Sequence, residues 1–136
     1  MTRRNFFRKF GIAIFSVFVL NALASYFYWY QSFVWFDMMM HFFGGITVGL
    51  FFCFLLFGTY RSWLKNRKSW KIWVAGTILT LCVALLWEVM EFSVQHLFNI
   101  DGVLATPGDS VSDVICGLVG GLTALGYFFV KTYERE

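Results

Sequence analysis

Apolar residues fall along this chain in four blocks, about Phe10 to Tyr30, Phe36 to Gly58, Ile72 to Phe98 and Ser110 to Val130, each near or above the roughly 20 helical residues that a hydrocarbon core requires. Apolar runs of this length predict helices that span a bilayer. The expected fold is therefore all-α, one polytopic membrane domain over residues 1–136 built as a bundle of four transmembrane helices. The polar positions inside the blocks then set the function question. In the third block Glu88 and Glu91 lie three residues apart and project from one face of a helix. A charge at mid-bilayer depth costs about 2.5 to 3.5 kcal/mol on insertion scales, so that face is expected to meet a cavity or a partner. The same stripe continues through Gln95 in one direction and through Ala84, Thr80 and Thr77 in the other.

The second and fourth blocks open on polar pairs of their own. Asp37 and His41 are four residues apart and share a face with Gly45 and Gly49, beside Gly44. Asp113 shares its face with Gly117, Gly120 and Gly121, and Asp109 or Ser110 stands where the fourth helix should be capped. Small residues along such stripes let neighbouring helices approach closely. At about 1.5 Å of rise per residue each polar pair covers only about 4.5 to 6 Å of depth, and Glu91 lies about 10 Å below the end of its block. These depths predict one outward-opening pocket formed by Asp37, His41, Glu88, Glu91 and Asp113, with Asp109 and Gln95 supporting or capping it.

Charge adds direction. Arg3, Arg4, Arg8 and Lys9 precede the first block, Arg61, Lys65, Arg67, Lys68 and Lys71 separate the second from the third, and Lys131 and Arg135 follow the fourth; residues 31–35 and 99–109 contain no Lys or Arg. Cytoplasmic loops retain basic residues, so both termini are expected in the cytoplasm of a cell that carries this protein in its inner membrane. The net charge of +3 then describes an inner-surface anchor and argues against a nucleic-acid partner. A composition 59% hydrophobic and 22% aromatic excludes a disordered chain and an ordinary soluble domain. Cys53, Cys82 and Cys116 lie in different blocks without Cys-x-x-Cys spacing, which fits packing residues. The Arg3-Arg4 start resembles a twin-arginine export signal, with Ala22-Leu23-Ala24 as a cleavage site, but the aromatic run Tyr26–Tyr30 favours a retained first helix.

Five carboxylates and one imidazole at similar depth constrain the chemistry. About four unpaired charges would together cost on the order of 10 kcal/mol, comparable to the whole stability of a domain. No Lys or Arg is available at that depth and His41 supplies at most one positive charge. A divalent cation held by Glu88, Glu91, Asp113 and His41, with Asp37 as a ligand or behind one, satisfies both charge and hydrogen bonding; such donors suit Mg²⁺, Mn²⁺, Fe or Zn²⁺. Three functions stay open. The first is a metal-dependent enzyme with Glu88, Glu91 and Asp113 as catalytic groups, acting on a lipid or lipid-linked substrate at the outer leaflet. The second is an ion- or proton-coupled binding or transport module, for which a homo-oligomer would supply the inverted repeat that four spans lack. The third is a structural envelope protein whose polar groups lock helices together.

The order of these motifs, Asp37-x-x-x-His41, then Glu88-x-x-Glu91, then a Gly108-Asp109-Ser110 turn leading to Asp113 and a glycine-rich helix, resembles the VanZ-like and YjdF-like integral membrane proteins over about Phe36 to Gly121. The tandem Gly44-Gly45 and the second Glu look closer to the YjdF side. Met38, Asp109 and Gly117 stand where VanZ-like proteins commonly carry Lys, Arg and Asn. The resemblance implies a small multispan protein of the cell envelope, VanZ itself being associated with low-level glycopeptide resistance.

Overall fold

A computed structural model describes residues 3–33, 35–59, 69–98 and 107–133. They form α1 (Arg3–Tyr26), α2 (Trp29–Ser32), α3 (Trp35–Thr59), α4 (Ser69–Phe98) and α5 (Pro107–Tyr133). Three of these hold stretches long and apolar enough to cross a membrane, Trp35–Leu55, Trp70–Val94 and Gly108–Phe128, while α1 holds a shorter apolar stretch, Phe10–Tyr26. Large apolar side chains such as Leu85, Leu86, Val89 and Phe92 on α4 are exposed. Lipid tails are as apolar as leucine, so such a surface is at home in a bilayer.

Two boundaries differ from the sequence expectation. The first helix does not run to Tyr30: it ends at Tyr26, and Tyr28 adopts a left-handed conformation with φ 57°. That conformation costs a tyrosine about 1 to 2 kcal/mol. It is offset by aromatic packing, because the turn lets α2 lay Trp29 and Tyr30 edge-on against Phe36, at 5.5 and 5.4 Å between ring centres, beside buried Ala24 and Met40. The last helix begins earlier than expected. Pro107 opens it, a residue whose fixed φ and missing N–H suit the first helical position. Asp109 therefore lies inside the first turn, where its charge favours the helix dipole, and does not cap the helix.

The bundle is assembled on α3 and α5, whose contact is the most extensive in the molecule. Glycine backbones set their register. A Cβ on Gly45 would strike the carbonyl of Gly117, one on Gly49 would come within 2.7 Å of the carbonyl of Gly121, and one on Gly120 would strike the carbonyl of Phe42. The pairs advance together in steps of four, so α3 and α5 run parallel with their backbones in contact. Along α4 the pairs descend: Gly76 meets Leu125, Thr80 meets Gly121 and Ala84 meets Gly117. Hence α4 is antiparallel to both. The close approach expected at Gly44 is not made, since a Cβ there would meet nothing within 4 Å.

Helix α1 runs antiparallel to α3, with Phe7 against Phe54, Phe10 stacked on Phe51, and Ala24 beside Phe36 and Met40. Among the described residues it packs on α2 and α3 and on neither α4 nor α5. This alternation collects the start of α1, the end of α3, the start of α4 and the end of α5 at one end of the bundle. The described basic side chains Arg8 and Lys71 belong to that end, and the described acidic side chains to the other. Residues 60–68 and 99–106, which carry the loop part of the charge asymmetry, lie outside the described residues.

Candidate metal centre

The four-residue stacking that holds the bundle together leads directly to the site. One step from the Gly45, Ala84 and Gly117 contact, the next side chains on α3, α4 and α5 are His41, Glu88 and Asp113. His41 Nε2 lies 3.5 Å from Asp37 Oδ1, one turn back on its own helix, and His41 Nδ1 lies 3.6 Å from Glu88 Oε1 on α4. Ligand-capable atoms of Asp37, His41 and Asp113 lie within 4.8 Å of one another, and so do those of His41, Glu88 and Glu91. The imidazole is therefore shared between two carboxylate pairs. His41 and Asp113 are only 8% and 5% exposed, and Asp37, Glu88 and Glu91 are partly buried.

Neither histidine contact is a hydrogen bond, because both exceed the 2.7 to 3.2 Å over which N–H groups bond to oxygen. His41 Nε2 and Glu88 Oε1 are buried with no hydrogen-bond partner. Leaving a buried polar atom unsatisfied costs about 1 to 3 kcal/mol, a cost that Thr77 and Thr80 on the same stripe do not incur. The Thr80 hydroxyl, one layer further in, donates to the Gly76 carbonyl at 2.9 Å. A cation fits the observed spacing: metal bonds of about 2.0 to 2.2 Å in tetrahedral geometry place neighbouring ligand atoms about 3.3 to 3.6 Å apart.

Other groups at the site were not singled out from the sequence. The Trp87 indole sits edge-on to His41, 6.5 Å between ring centres. The Tyr30 hydroxyl donates to Asn21 Oδ1, tying α2 to α1. Burial, followed by the negative charges of Asp37 and Glu91, pushes the Tyr30 phenol above its usual range, so this group stands protonated beside the acids. Its place in an aromatic run reads as an interfacial belt, and the helix break at Tyr28 removes any periodic link to Asp37.

Asp109 is exposed in the first turn of α5, and the side chain of Gln95 lies outside the described residues. His96 is exposed and stacks on Phe92 with ring centres 6.3 Å apart. Gly45, Gly49, Gly117, Gly120 and Gly121 are buried in the helix contacts, with Gly121 against Thr80.

The family model described as Predicted membrane protein (DUF2238) matches residues 2–133. The chain belongs to that family. All five helices of this DUF2238 chain, from Arg3 to Tyr133, fall within the match. A Thermotoga maritima relative, named "Uncharacterized protein", is 24% identical over 125 residues, which cover 88% of this chain and 61% of the relative. The chain thus spans less than two thirds of that relative's length. No solved structure matches.

Proposed function

We propose that this DUF2238 protein crosses the membrane four times with both termini in the cytoplasm, holds a divalent cation in the Asp37, His41, Glu88, Glu91 and Asp113 cluster, and acts on a lipid or lipid-linked envelope substrate at the outer leaflet. The observation that carries the cation is the buried, unpartnered pair His41 Nε2 and Glu88 Oε1 among four converging carboxylates. α1 serves as the fourth crossing because its antiparallel packing on α3 brings Arg8 to the same end as Lys71. The cluster lies at the opposite end, where headgroup chemistry would reach it. The motif order shared with VanZ-like and YjdF-like proteins supports placement in the envelope.

A divalent cation held here would supply Lewis acidity toward a phosphoryl or carbonyl oxygen. Glu88, Glu91 and Asp113 are the groups placed to hold or pass a proton beside the reacting atom. A proton-coupled reading has one observation in its favour. His41 lies between Asp37 and Glu88 at nearly equal distances, the place of an imidazolium shared by two carboxylates.

Elemental analysis of the purified full chain, with thermal unfolding before and after chelation, separates the two. The cation reading expects about one divalent ion per chain and a lower midpoint after chelation, both effects being reduced in Glu88→Gln and Asp113→Asn. No bound metal and no chelator effect at neutral pH would leave the proton-coupled or structural reading in its place.

A further inference from the structure

His41 faces carboxylates through both ring nitrogens, and a neutral imidazole has only one lone pair to give. The cation must therefore choose a side. Three observations bear on the choice, and they agree.

The first is hydrogen bonding. Glu88 Oε1 is a buried acceptor without a donor, and His41 Nδ1, 3.6 Å away, is the ring nitrogen that faces it. Placing the proton on Nδ1 gives that oxygen a donor once the pair closes by a few tenths of an ångström. The lone pair then falls on Nε2, the nitrogen left without a partner and facing Asp37 Oδ1 at 3.5 Å, on a side chain only 6% exposed. The second is burial of the acids: Asp113 is buried with His41 in the group that contains Asp37, whereas Glu91, in the group that contains Glu88, is only partly buried. The third is rigidity. Asp37 and His41 come from α3 and Asp113 from α5, and these two helices touch backbone to backbone at Gly45, Gly117 and Gly120. Ligands that need a fixed geometry are best held by the least yielding contact in the bundle.

We infer that the cation sits on the seam between α3 and α5, ligated by His41 Nε2, Asp37 and Asp113, with Glu88 positioning the imidazole through Nδ1–H and Glu91 left unligated beside it. This rests on the cation reading proposed above and assigns each acid a role. Two carboxylates and one imidazole suit a first-row transition cation such as Mn²⁺, Fe²⁺ or Zn²⁺ better than Mg²⁺ or Ca²⁺, which prefer oxygen alone. The carboxylate behind a metal-bound histidine fixes its tautomer, and its loss typically costs about 10- to 100-fold in affinity.

The chain has two histidines, so ring-nitrogen assignments are within reach. Full-length protein labelled with ¹⁵N-histidine, in a His96→Gln background that removes the exposed ring, is titrated with Zn²⁺ in lipid nanodiscs and followed by NMR. The expected spectrum shows a coordinated Nε2 and a protonated Nδ1, with Zn²⁺ displaced poorly by Mg²⁺. In parallel, Zn²⁺ affinity should fall by about 100-fold or more in Asp37→Asn and Asp113→Asn, by about 10- to 100-fold in Glu88→Gln, and stay within about threefold in Glu91→Gln. Metal on Nδ1, or a greater loss in Glu91→Gln than in Asp113→Asn, overturns the assignment while leaving a cation in the cluster. Failure of the unsubstituted chain to bind Zn²⁺ or Mn²⁺ removes the cation reading and this assignment with it. The tautomer of the unsubstituted ring is read independently of whether any acid variant folds.

Discussion

Tyr30 shows how a single side chain joins the periphery of this bundle to its polar centre. Its hydroxyl bonds to Asn21 on α1, its ring packs on Phe36, and its protonated state is favoured by burial and by the charges of Asp37 and Glu91. An unfolded tyrosine ionises near about pH 10. Because the folded value is raised, the stabilisation linked to this proton is fully present below about pH 10 and is lost as pH rises toward the folded value. Thermal midpoints measured from pH 8 to 11 should therefore fall more steeply for the native chain than for Tyr30→Phe above about pH 10. Parallel curves for the two proteins would mean that Tyr30 is neither buried nor close to the acids. Both proteins retain the other tyrosines, so the difference isolates this one.

At the scale of the elements, the repeated unit is a contact layer that recurs every four residues along α3, α4 and α5. Glycine is required where two backbones meet and unnecessary one residue away. Gly45→Ala would drive a methyl into the Gly117 carbonyl and Gly120→Ala into that of Phe42, whereas Gly44→Ala would point into open space. Overpacking of a tight contact costs about 1 to 3 kcal/mol, and alanine in an open helical position gains up to about 1 kcal/mol in propensity. Unfolding in mixed detergent should thus separate the variants, with Gly45→Ala and Gly120→Ala destabilised and Gly44→Ala unchanged or more stable. Equal stability of Gly44→Ala and Gly45→Ala would contradict the register. The same contacts position the cluster, since His41 lies one step from Gly45 and Asp113 one step from Gly117. A methyl in this seam is therefore expected to disturb the proposed cation site as well as folding.

The whole molecule is two-ended. Alternating helix directions collect Arg8 and Lys71 at one end and His41 with the described acids at the other. Basic residues kept on the cytoplasmic side would then place the cluster toward the outer leaflet. Single cysteines introduced as Trp63→Cys and Val103→Cys, in a chain stripped of its own three, should react with membrane-impermeant thiol reagents from opposite sides of the membrane, Val103→Cys from outside. Labelling of both from the same side would defeat the outward-facing pocket and with it a substrate drawn from the outer leaflet. The looser attachment of α1, which among the described residues packs on α2 and α3 and not on the helices that bear Glu88 and Asp113, makes it the helix whose removal the cluster should tolerate best.

The sequence by itself determined what each helix carries and which way its polar stripe faces along that helix. The spacings of Asp37 with His41, Glu88 with Glu91, and Asp113 with Gly117 are local, and the 3.6-residue period converts them into faces without reference to anything else. The cost of charge in a bilayer then says that these faces turn inward. Other outcomes depend on contacts between distant parts of the chain and have no local signature. Tyr28 takes a left-handed turn because Trp29 and Tyr30 gain a packing surface on Phe36. Gly45 and not Gly44 meets a neighbouring backbone because of where α5 lies. The tertiary structure alone decided that α3 and α5 run parallel in the register that sets Gly45 on Gly117, with α4 reversed so that Ala84 follows Thr80 toward the acids. That register brings His41, Glu88 and Asp113 into one layer, because the backbones can touch only where glycines coincide.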